Sequence, residues 1–123
     1  MNALDKADAL KERTKQFAIR IVAVSRSLPR SREADVVAKQ LLRSGTAVAA
    51  NYRAVCRARS KAEFLSKMGI VVEEADETVF WLELLGDTAL APAAKLALLL
   101  KEANELVAIC AASLRTAKNN KAS

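Results

Sequence analysis

Apolar residues recur along this chain at alternating spacings of four and three, the repeat that lines one face of a helix. Leu10, Thr14, Phe17, Ile21, Val24 and Leu28 form the first such stripe, predicting a helix over about 5–28. Pro29 closes it, because a residue before proline is pushed out of helical geometry. A second helix is predicted over about 32–57, its apolar face carried by Leu41, Gly45, Val48, Tyr52 and Val55. Gly45 costs about 1 kcal/mol relative to alanine in a helix interior. It therefore marks either a close approach by a neighbouring helix or, with Ser44 beside it, a bend; close packing is the favoured reading.

The third helix opens on the clearest local signal in the chain. Ser60-Lys-Ala-Glu63 is a capping box, in which the serine and glutamate side chains each reach an orphan amide of the first turn. Phe64, Met68, Val71, Ala75, Thr78, Leu82 and Leu85 continue it, predicting a helix over about 60–86. Pro92 suits a helix start, and Leu96, Leu99, Ala103, Leu106, Cys110 and Leu114 make an inner face for a fourth helix over about 92–118. Four segments of similar length with short connections predict an antiparallel, up-down-up-down four-helix bundle, all-α and a single domain over 1–123.

Composition agrees with this reading. Hydrophobic residues are 52% of the 123 but aromatics only 4%, with three glycines and two prolines, so few positions break a helix and a sheet protein is disfavoured. No segment approaches the roughly 18 uncharged apolar residues of a membrane span. The start of the chain, with Asp5, lacks the apolar centre of a signal peptide, so a cytoplasmic location and no membrane partner are expected. Cys56 and Cys110 fall in apolar helical stretches and are expected to be buried, reduced thiols.

Charge is segregated. Residues 1–61 carry 14 Lys+Arg against 5 Asp+Glu, a balance of +9, whereas residues 62–123 carry 6 against 9, a balance of −3. At about 100° per residue, Lys39, Arg43, Arg53 and Arg57 align on the second helix away from its apolar face, and Arg59 and Lys61 extend the row. Three readings stay open for it: a solvated face, pairing with the acids of a neighbouring subunit, or contact with a phosphate backbone.

The third helix is too apolar to bury a single face. Phe80, Trp81 and Leu84 lie far round from its main stripe, interleaved with Glu73, Asp76 and Glu77, which predicts a second, oligomeric interface. Glu73 and Glu77 also stand one turn apart, yet the chain contains no histidine, which excludes His-dependent triads, Cys–His catalysis and histidine zinc sites. The acidic pair is read as neither catalytic nor metal-binding, and no cofactor is expected. Gln40, Ser44 and Asn51 form a polar edge beside the second helix's core, read as a hydrogen-bonded helix seam.

The central stretch resembles a known family. Gln40-Leu41-Leu42-Arg43-Ser44-Gly45, Val48-Ala49-Ala50-Asn51-Tyr52, Arg59-Ser60-Lys61-Ala62-Glu63-Phe64 and Glu73-Glu74-Ala75-Asp76-Glu77 are similar to bacterial 23S ribosomal RNA intervening-sequence proteins. The resemblance implies an antiparallel bundle that assembles as a cyclic homo-oligomer, with a pentamer expected, and no enzymatic activity. It extends to the accessory protein of diversity-generating retroelements, which implies nucleic-acid binding. The expected function is thus a non-enzymatic, ring-forming scaffold that binds RNA or DNA through Lys39, Arg43, Arg53, Arg57, Arg59 and Lys61. The alternative is a protein–protein adaptor whose charge asymmetry serves only self-assembly.

Overall fold

A computed structural model describes residues 2–120. Four helices follow one another: α1 (Ala3–Ser27), α2 (Arg32–Cys56), α3 (Lys61–Asp87) and α4 (Ala93–Asn119). Among the described residues there is no strand. Each boundary falls within two residues of the predicted one. The largest difference is at α1, which starts earlier because the Asn2 side chain accepts from the Asp5 amide at 2.9 Å and caps the first turn. Ser31 and Ser60 cap α2 and α3 in the same way, at 3.1 and 3.0 Å. At Ser60 only the serine half of the capping box is made. Pro92 precedes α4 as its N-cap rather than entering the first turn.

The end of α3 is a Schellman turn. The Leu90 amide donates to Leu85 and the Ala89 amide to Gly86, both at 3.1 Å, which satisfies two orphan carbonyls. Ala89 takes the left-handed conformation, φ 58°, that glycine more often supplies.

The core runs along the bundle axis through Phe17, Ile21, Leu41, Val48, Met68, Val71, Leu82, Leu85, Leu106 and Cys110. Consecutive helices pack extensively, so α3 is flanked by α2 on one side and α4 on the other; α1 and α4 touch far more sparsely. Gly45 is a point of close approach between α1 and α2. A Cβ there would lie 2.6 Å from Ile21 Cγ2 and 2.7 Å from Cγ1, so close packing explains this glycine. Between α2 and α3, the buried hydroxyls of Ser44 and Thr78 share a hydrogen bond of 2.9 Å. Of the predicted polar seam only Ser44 crosses between helices; Gln40 accepts from Arg43, and Asn51 donates to the Ala47 carbonyl of its own helix.

The cysteines divide. Cys110 is buried, and desolvation pushes its thiol up to about 11. Cys56 is exposed, contrary to expectation. Val55 takes the core position in the last turn of α2, and the next residue is rotated about 100° away from it.

Candidate nucleic-acid interface

Within the basic row on α2, Arg43 stands apart. Arg43 turns toward α3, where it bonds both oxygens of Glu74, at 3.1 and 3.2 Å, and also Glu77. Glu77 in turn accepts from the Trp81 indole at 3.0 Å. That indole bond, and then the Arg43 guanidinium, hold the Glu77 carboxyl below its usual range against the opposing effect of burial. Arg43 is therefore offset within one chain by Glu74 and Glu77, and the three side chains together keep one negative charge. Lys61 is also engaged, donating from Nζ to the Asn120 carbonyl just past the end of α4, a favourable place for a cation.

Lys39, Arg53, Arg57 and Arg59 are exposed, and among the described residues no ion pair engages them. Arg53 stands at a groove of about 460 Å³ between α1 and α2 whose other charged members are Lys11, Glu12 and Lys15. Thr46, Ala49 and Ala50 form the remainder of its wall. Small side chains there leave room for a ligand to approach the helices closely, with three cations against one carboxylate at the edge. Arg59 borders a second hollow, of about 450 Å³, at the end of the bundle with Ser60, Lys61 and Phe64.

Lys11 and Lys15 were not among the residues singled out in the sequence. The signal was present but indirect. The contact between Ile21 and Gly45 sets the antiparallel register of α1 on α2, and counting back along α1 brings Lys11 and Lys15 level with the second half of α2. Periodicity within one helix does not carry that information.

The expected oligomer face on α3 is narrower than its sequence suggested. Glu73 and Asp76 are exposed and form no ion pair within the described chain, and Phe80 is 52% exposed. Trp81 and Leu84, by contrast, are half-buried and pack against the core, so only Phe80 of the three projects clearly outward. The reason is positional: a helix with neighbours on both sides covers a wider arc than one facing a single partner. Phe80 meets Trp81 edge-on, with ring centroids 4.9 Å apart and planes at 71°.

A family model described as 23S rRNA-intervening sequence protein matches residues 8–112, which reach into all four helices. The chain belongs to this family. A similar solved structure is a 1.70 Å crystal structure of a protein of unknown function from the S23 ribosomal protein family of Bacteroides thetaiotaomicron. It is 33% identical, with a TM-score of 0.82, covering 89% of this chain and 98% of that one. No curated protein matches the chain. Family membership thus agrees with the four-helix architecture, and nothing in these likenesses attaches an enzymatic activity to the fold. Among the described residues no helix is long and apolar enough to cross a membrane.

Proposed function

We propose that this protein is a non-enzymatic, self-associating scaffold that engages the phosphate backbone of RNA or DNA through the α1–α2 side of its bundle. The observation that carries this reading is the gathering of Lys11, Lys15 and Arg53 at one groove. Lys39, Arg57 and Arg59 add exposed cations on or beside α2. A cation already paired to a carboxylate gains little from a phosphate, so the relevant set excludes Arg43 and includes the two lysines of α1. Self-association rests on the resemblance to ring-forming relatives and on the exposed Glu73, Asp76 and Phe80. Ionic pairing between subunits through Arg43 and Glu77 is not part of the proposal, because these groups satisfy one another.

Each phosphate neutralised releases counterions, so affinity for duplex DNA should fall by about 0.9 log units per contact for each tenfold rise in salt. Fluorescence anisotropy with labelled single-stranded RNA and duplex DNA, measured across a salt series, tests this. The expected outcome is weakly sequence-dependent binding whose salt slope shrinks by about two in the Lys15→Ala/Arg53→Ala double variant, with solution mass unchanged. Absence of binding at low salt, or a double variant with the parent's affinity and slope, would overturn the proposal.

A further inference from the structure

The sparsely packed side of the bundle contains a cleft of about 540 Å³ between the first half of α1 and the last half of α4. Its walls are apolar, formed by Ala7, Leu10, Phe64 and Ile109, and its floor reaches Tyr52 and Met68. Those two floor residues are only 5% and 2% exposed, so the cleft reaches the core. Such a cavity has the size and lining of a small-molecule site, and the space between the helices of a bundle is a usual place for one. Met68 adds a flexible, polarisable wall that adapts to an irregular apolar guest.

The polar members of the lining set the class of guest. The two charged residues among them, Lys6 and Arg13, are both cationic. Arg13 is committed to Glu102, to which it donates two bonds of 2.7 and 2.6 Å. Lys6 is exposed and takes part in no ion pair among the described residues, so its ammonium is the charge left to meet a ligand. The Tyr52 phenol is raised from its ordinary value, chiefly by burial, and stays neutral where a guest would lie. The α1 residues along the cleft run from Ala3 to Arg13, a rise of about 15 Å, which makes an elongated slot rather than a round pocket.

We propose that the α1–α4 cleft binds a single-chain amphiphile with an anionic head, of the fatty-carboxylate class, its tail along Leu10, Phe64 and Ile109 and its head at Lys6. This site lies apart from the α1–α2 groove and stands or falls independently of nucleic-acid binding.

Calorimetric titration of the full chain with decanoate, kept below its micelle concentration, tests the proposal, with decanol as the uncharged comparison. Decanoate should bind saturably at one per chain, and decanol about fivefold more weakly, the worth of one partly exposed charge contact. Lys6→Ala should bring decanoate down to the level of decanol and leave decanol unchanged. Ala7→Trp, which fills the slot, should weaken both by at least about tenfold.

The chain has one tyrosine and one tryptophan, which supply a readout in the unaltered protein should Ala7→Trp lose helix. Decanoate should shift the Tyr52 ring resonances and leave those of Trp81, on another part of the bundle, in place. Non-saturable uptake, equal binding of decanoate and decanol, or an Ala7→Trp variant that folds and binds like the parent would each overturn the assignment, as would a shift at Trp81 alone.

Discussion

The two flanks of α1 are held to the bundle by different means. Toward α2 the helices approach so closely at Gly45 that a single added carbon would overlap Ile21, and the contact is apolar and buried. Toward α4 the packing is sparse, and the specific tie is the fork of Arg13 on Glu102, with Glu105 at 3.6 Å. The first flank depends on shape and tolerates almost no change in volume. The second depends on a partly exposed ion pair, which solvent and salt weaken. One helix thus combines a rigid seam with a yielding one, and the yielding seam borders the apolar cleft.

Gly45→Val should break the rigid seam. The new side chain collides with the Ile21 Cβ and both Cγ atoms, and overpacking of this kind costs about 3 kcal/mol. Denaturant unfolding should show the loss as a lower midpoint. A variant as stable as the parent would mean that α1 and α2 separate easily.

Arg13→Ala tests the yielding seam and should cost about 1 kcal/mol, a modest value because the Arg13 side chain is 37% exposed. Cys110 reports on the same flank, since its thiol is buried yet lies close enough to feel the Arg13 charge. Thiol labelling under native conditions should modify Cys56 at once and Cys110 only through opening. The Arg13→Ala variant should label Cys110 about fivefold faster. Acid should act in the same direction. The Arg13 bonds hold the Glu102 carboxyl below its ordinary value, with burial opposing. Its contribution is therefore complete above the ordinary carboxylate range and lost as pH falls through the depressed value. The stability difference between parent and variant should accordingly shrink as pH falls through and below the ordinary carboxylate range.

The smallest effect sharpens the contrast. Gly69 is also mid-helix, but a Cβ there would meet nothing within 4 Å. Gly69→Ala should raise stability by about 0.5–1 kcal/mol, the ordinary helix preference. Opposite signs at Gly45 and Gly69 in thermal unfolding would show that the approach of α1, and not glycine as such, sets the cost.

Much of this arrangement was legible in the residues. Stripes, caps and the two prolines located four helices, and Gly45 announced a close approach, because each of these signals is local to one helix. The site was less legible because it depends on what happens between helices. Arg43 and Arg53 sit on one outward arc of α2, yet one pairs with the acids of α3 and the other borders a groove shared with the lysines of α1. Trp81 and Leu84 looked surplus to the core until α3 proved to have neighbours on both sides. Cys56 shared an apolar stretch with Val55, and only the pose of the last turn decides which of the two is buried. The weak α1–α4 contact left no mark on periodicity at all.

The hydrogen bond between Ser44 and Thr78 has a consequence for folding fidelity. Helices built so largely from alanine, leucine and valine offer many nearly equivalent ways to lie against one another, and apolar burial alone distinguishes poorly among them. Sliding α3 along α2 by one turn, about 5.4 Å, would part these two hydroxyls and leave each with only a carbonyl of its own helix, Leu41 for Ser44 and Glu74 for Thr78. Loss of one hydrogen bond between the helices costs about 1 kcal/mol. The pair adds little to the affinity of α2 for α3, but it penalises the wrong alignments and so selects one register from a set that would otherwise compete.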